Sequence, residues 1–128
     1  MSHRANYALL SVQESLGPNK DAIEETWATF AGDRSSAHTF EVPTDDPRDP
    51  YLQMQVLDVA EYGHDVLVNG ESVSGFDIPP GDGWQTWMDP ITGHPLQTGE
   101  NTLRIERDTT TDDAFVVGTV VVNWREEI

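Results

Sequence analysis

Cysteine is missing from this chain and lysine nearly so, Lys20 being the only lysine among seven basic residues. Without cysteine there is no disulfide framework, no thiolate metal site and no cysteine nucleophile. Arginines placed singly cannot form the clusters that phosphate contacts need, which disfavours direct nucleic-acid binding. A long apolar run is lacking too. Residues 7–12 are apolar for too short a distance to form a secretory core or a membrane span, and neither a twin-arginine pair nor an Asn-x-Ser/Thr glycosylation site is present. The expectation is a protein made in the cytoplasm without a signal peptide, kept there or released by a route other than secretion, with no membrane insertion.

What the chain has in excess is acid. Twenty-three Asp and Glu give a formal net charge of −16 on 128 residues. Such a charge strains a compact fold by self-repulsion in dilute salt, whereas molar salt shortens the screening length to about 3 Å. The acids are dispersed, with no block longer than two, so the composition predicts a protein built for a salt-saturated interior rather than a mimic of nucleic acid. Apolar residues are dense in 51–59 and 115–124, which argues against disorder throughout, and the length suits one domain, residues 1–128.

The pattern along the chain is strand after strand. Residues 5–13 fit an edge strand, ended by Gly17-Pro18-Asn19. Residues 22–31 admit two readings: Asp21 and Glu24 form a capping box and Ile23, Trp27 and Phe30 recur at helical spacing, yet Thr26, Trp27, Thr29 and Phe30 favour a strand over 25–30, and the strand is the preferred reading. Residues 38–42 alternate, 43–50 with three prolines and three aspartates read as loop, and 51–59 alternates again. Residues 65–69 and 72–76 flank Asn69-Gly70, whose positive φ angles suit a two-residue hairpin turn. Residues 85–88 and 101–107 add strands. The run 114–125, with Val116, Val117, Val120, Val121 and Val122, is apolar on both faces and reads as a central strand. Seven or eight strands with such turns predict an all-β fold, a two-sheet antiparallel β-sandwich with at most one short helix near 22–31.

The sequence of residues 65–77, Asp-Val-Leu-Val-Asn-Gly-Glu-Ser-Val-Ser-Gly-Phe-Asp, followed by Leu96-Gln-Thr-Gly-Glu-Asn-Thr-Leu-Arg-Ile105, resembles the galactose-binding-like jelly roll. That family includes the sugar-binding domains attached to glycoside hydrolases, and it shares the Val-Asn-Gly turn, the Gly-x-Asn turn and the Leu-x-Ile strand. The resemblance covers residues 51–124 and implies a jelly-roll sandwich with carbohydrate binding as one role of the fold. Small acidic haloarchaeal proteins also look like this chain. On physical grounds Gly99 suits a left-handed turn position and the Asn101 side chain can satisfy loop backbone groups.

Few residues are set apart for chemistry. His3, His38, His64 and His94 stand too far apart in sequence for a metal-ligand motif, and Ser72 and Ser74 lack the spacing of a nucleophile elbow. Asp45, Asp46 and Asp49 in the proline-rich loop, with Asp112 and Asp113 before the last strand, are candidate ligands for a structural Ca²⁺, against the simpler reading of solvated acids. Trp84 and Trp87, with Tyr62 and His64 on another loop, are the aromatics nominated for ligand or partner binding. Trp84 leads them, because it follows a polar Pro-Pro-Gly-Asp-Gly stretch, whereas for Trp27, Trp87 and Trp124 the core is the preferred reading. No acid, base or nucleophile is singled out, so the chain is read as non-catalytic. The expected role is a structural or assembly protein of an extreme halophile, with protein partners or copies of itself, for example a decoration, turret or tail component of a virion of a halophilic-archaeal virus. The alternative is a stand-alone carbohydrate-binding module.

Overall fold

The computed structural model describes residues 2–73, 78–93 and 96–128. Nine strands lie among them: β1 (His3–Leu16), β2 (Thr29–Gly32), β3 (His38–Val42), β4 (Arg48–Val59), β5 (Asp65–Val68), β6 (Glu71–Ser72), β7 (Gly81–Pro90), β8 (Gly99–Glu106) and β9 (Phe115–Glu127). They form a five-stranded sheet in the order β2-β1-β9-β4-β7 and a four-stranded sheet in the order β3-β8-β5-β6. The fold is an all-β sandwich with no helix among the described residues. One pairing departs from the antiparallel expectation, because β2 runs parallel to β1. The chain needs about a dozen residues to return for a parallel pairing, and residues 17–28 supply them.

The core lies between the sheets. Leu52, Met54 and Val56 of β4, with Val120, Val122 and Trp124 of β9, meet Phe40 and Val42 of β3, Val66 and Val68 of β5, and Leu103 and Ile105 of β8. Alternation along each strand puts these side chains inward, and each fully buried aliphatic contributes roughly 1.5–3 kcal/mol. β9 is the centre of its sheet, hydrogen-bonded to β1 on one side and β4 on the other, as its valine content predicts. β1 meets β2 only at Glu14 to Leu16, so residues 5–13 do form an edge along most of their length.

The turn motifs interlock. Asn69 and Gly70 both take positive φ (52° and 83°), and Val68 pairs with Glu71 across them. Asn69 donates from Nδ2 to Asn101 Oδ1 (2.8 Å) and accepts the Thr102 N–H, while the fully buried Asn101 donates to the carbonyls of Gln97 and Gly99. Gly99 has φ of 89°. The asparagines of the two turns thus bind one another across β5 and β8.

Several boundaries differ from the sequence expectation, three of them by changing a loop or strand assignment. β4 begins at Arg48, inside the stretch read as loop, because a bulge at Asp49 (φ 49°) lets the strand run through Pro50. β7 begins at Gly81, where the sequence suggested a polar loop. Residues 22–28 are turns, held by Ala22 N–H to Asn19 O and Ala28 N–H to Glu25 O, and only Thr29–Gly32 becomes strand. The hairpin strand expected over 72–76 is seen as Glu71–Ser72; its residues 74–76, with Ser74, and also His94, lie outside the described residues.

Candidate functional site

The outward side of the five-stranded sheet carries the candidate site. Two irregularities sit side by side there. The β1–β9 register shifts between Ser11 and Glu14, and the β9–β4 register shifts between Met54 and Val56. The first places Gln13 in the left-handed region (φ 51°) with Val12 and Glu14 both buried beside it. The second leaves Gln55 opposite Gly118 and Thr119, whose N–H it accepts on Oε1 at 3.2 Å. Bulges deepen local twist, and Gly118 adds no side chain, so the sheet dips. A Cβ on Gly118 would stand 3.1 Å from Gln55 Oε1 and 3.3 Å from Trp84 Cζ3.

The dip is a shallow pocket of about 510 Å³ lined by Gln13, Trp27, Gln55, Trp84, Gln85, Thr86 and Gly118. Its wall is a pair of indoles, Trp27 and Trp84, stacked with centroids 5.8 Å apart and planes at 26°. Both are about half exposed, at 46% and 52%. Trp84 therefore stands outside as the sequence suggests, but Trp27 is not a core residue. It belongs to the surface turns of 22–28, and its Nε1–H donates to Glu25 Oε2. None of these seven described lining residues carries a charge. Gln85 donates to the Pro79 carbonyl at 2.6 Å and Gln55 uses its carbonyl on Thr119, which leaves the amide NH₂ of Gln55 for a ligand.

The other nominated aromatics are not brought here. Trp87 is three residues from Trp84 on one strand, so it faces the opposite way and is buried in the core. Tyr62 is exposed but does not line the pocket. His64 is fully buried. Its Nδ1 accepts the Asp108 N–H at 2.9 Å and its Nε2 contacts Asp113 Oδ2 at 2.6 Å, which assigns the Nε2–H tautomer and leaves neither nitrogen free as a base. The ring packs on Phe115. Asp113 also accepts the N–H groups of Ala60 and Glu61, and Asp108 is held below the usual carboxylate range by the Thr110 hydroxyl and backbone N–H. This knot ties the 60–64 loop to 108–113. His38 serves similarly, contacting the buried Glu14 and bridging β1 to β3.

The acids proposed for Ca²⁺ are engaged elsewhere or dispersed. Asp46 pairs with Arg48 and Asp49 with Arg125, Asp113 is spent on the knot, and Asp45 and Asp112 are exposed. Among the described residues, no group of three or more His, Cys, Asp or Glu is placed to hold a metal.

A family model matches residues 4–126, nearly the whole sandwich. The chain belongs to the DUF7383 family, described as a family of unknown function. Among solved structures, this DUF7383 chain is similar to the Podospora anserina GH26-CBM35 β-(1,4)-mannanase, with a TM-score of 0.51 and 11% identity. The alignment covers 91% of this chain and 27% of the mannanase chain, and at that identity the likeness shows a shared fold. Comparison with curated proteins finds no match. Gln13, Gln55, Gln85, Thr86 and Gly118 were not legible as site residues from sequence. One signal pointed to them: a glycine inside the valine run of β9, where a strand glycine marks a bulge or a close approach.

Proposed function

We propose that this DUF7383 domain is a non-catalytic binding module that holds a neutral carbohydrate against the Trp27–Trp84 wall. The observation that carries the reading is the pocket's composition: two exposed indoles, three glutamines and no charged residue, in a chain of net charge −16. An indole face suits the apolar face of a sugar ring, and a primary amide both donates to and accepts from hydroxyls. A cationic or metal-bound ligand would favour the carboxylates that this pocket lacks. The fold shared with a CBM35-containing mannanase agrees with the reading at the level of scaffold. Catalysis is not favoured, because no lining residue titrates near neutral pH.

Affinity electrophoresis against soluble β-1,4-mannan, with xylan, glucan and galactan alongside, tests this. Retardation by at least one of them, lost in Trp84→Ala with the melting temperature nearly unchanged, is the expected outcome. No retardation by any would refute it. An assembly role, the second reading, is favoured by a separate observation, the apolar rows at the other end of the same sheet face.

A further inference from the structure

Running on from the pocket, and sharing Gln55 and Thr86 with it, the outer face of the five-stranded sheet is a regular grid. Strand register aligns Tyr7, Asn123, Tyr51 and Pro90 in one row and Leu9, Val121, Gln53 and Met88 in the next. Ser11 pairs with Thr119, and Gln55 with Thr86, in a third. None of these twelve residues is acidic, although 23 acids spread evenly would put about two among them, and more at a surface, since charged residues are seldom buried. The outer face of the four-stranded sheet is the reverse. There Glu41 lies directly opposite Glu100, and Asp65 opposite Glu106.

The acid-free rows are also the apolar ones. Tyr7, Leu9 and Met88 are 63%, 59% and 63% exposed, and the polar members are already satisfied in part, as Asn123 donates to Gln53 at 3.1 Å. We propose that two copies of this chain associate through this face, Tyr7, Leu9, Tyr51, Met88 and Val121 of one against the same residues of the other. This rests on the assembly reading, and none of these five residues lines the carbohydrate pocket. Charge selects the occupant. A body of net charge −16 repels its own copies wherever carboxylates meet, and this face removes that term while offering apolar area to bury. A basic partner would be drawn instead to the acidic faces. One patch meeting itself across a two-fold axis closes the assembly at a dimer.

Four strands by three rows span roughly 19 by 20 Å, about 400 Å² of flat sheet per copy, half of a standard partner's share, which places the dimer among weak, transient associations. Residual net repulsion makes it salt-promoted.

Sedimentation equilibrium of the full chain up to about 1 mM, in about 50 mM and about 2 M KCl, reads the association directly. The expected result is a dimer in high salt, weakened at least about tenfold by Leu9→Glu or Met88→Glu with circular dichroism unchanged, and unaffected by Thr102→Glu on the opposite sheet. Should Leu9→Glu fail to fold, Met88→Glu and Leu9→Ser carry the measurement. A wild-type chain that stays monomeric in high salt overturns the proposal, as does a dimer that these variants leave intact. Mannan retardation by Leu9→Glu should match wild type, so loss of the dimer and loss of glycan binding are read apart.

Discussion

Glu126 shows how a single acid can be held as an anion in a chain crowded with them. It accepts from Asn6 Nδ2 (2.9 Å), Trp124 Nε1 (2.8 Å) and Arg4 (3.1 Å), and the Asn6 and Trp124 bonds above all keep its carboxyl below the ordinary glutamate value of 4.5. A lowered folded pKa contributes stability that is fully present above the unfolded value and is lost as pH falls through the folded one. Glu126→Gln should therefore melt lower than wild type at pH 6, and the gap should narrow as pH falls below about 4.5. Thermal melts of both proteins across that range, compared as a difference, separate this group from the other carboxylates. A gap that stays constant with pH would show that Glu126 acts only through packing.

At the scale of elements, the β5–β6 hairpin is the clearest case of local sequence dictating geometry. Asn-Gly demands a turn with two positive φ angles, and both are found. Gly70→Val should cost more than about 1 kcal/mol in a chemical denaturation curve, since a β-branched residue resists the left-handed region even though open space surrounds the position. A neutral substitution would mean that the hairpin is not needed for the fold. The strands β3, β5, β8 and β9 were legible for a similar reason, each having an alternating or valine-rich run bounded by turn residues. The start of β4 was not, because prolines and aspartates around a bulge look like a loop, nor was the surface course of 22–28, where Trp27 finds its partner in Trp84, 57 residues away in sequence. The site was legible through Trp84 and, less directly, through Gly118, a glycine inside a valine run. Its other members are assembled by register shifts between strands, and the local sequence does not say which residues a shift brings together.

For the whole molecule the governing quantity is charge. Glu41–Glu100 and Asp65–Glu106 are directly cross-strand, where like charges destabilise by up to about 1 kcal/mol each, and the remaining acids add a diffuse repulsion. The melting temperature should rise steeply from dilute buffer to about 2 M KCl. Glu41→Gln should raise it by roughly 1–4 °C in dilute buffer and leave it unchanged in concentrated salt. A melting temperature indifferent to salt would show that the fold does not feel its net charge.

The position of β9 carries one further consequence, for the order of folding. Its pairings run from His3 with Glu127 to Leu57 with Val116, so among the described residues the five-stranded sheet joins β1 to β4 through β9, the last of the nine strands. During synthesis the first 114 residues hold no centre for the larger sheet. Its two halves, β1 with β2 and β4 with β7, must wait until β9 has been made, and the step that docks them closes loops of about 100 to 124 residues on the β1 side and about 60 to 77 on the β4 side. Assembly of the larger sheet is therefore expected to start only once β9 has been made and to be slow for a domain of this size, with the unpaired edges of β1 and β4 as its points of exposure to aggregation.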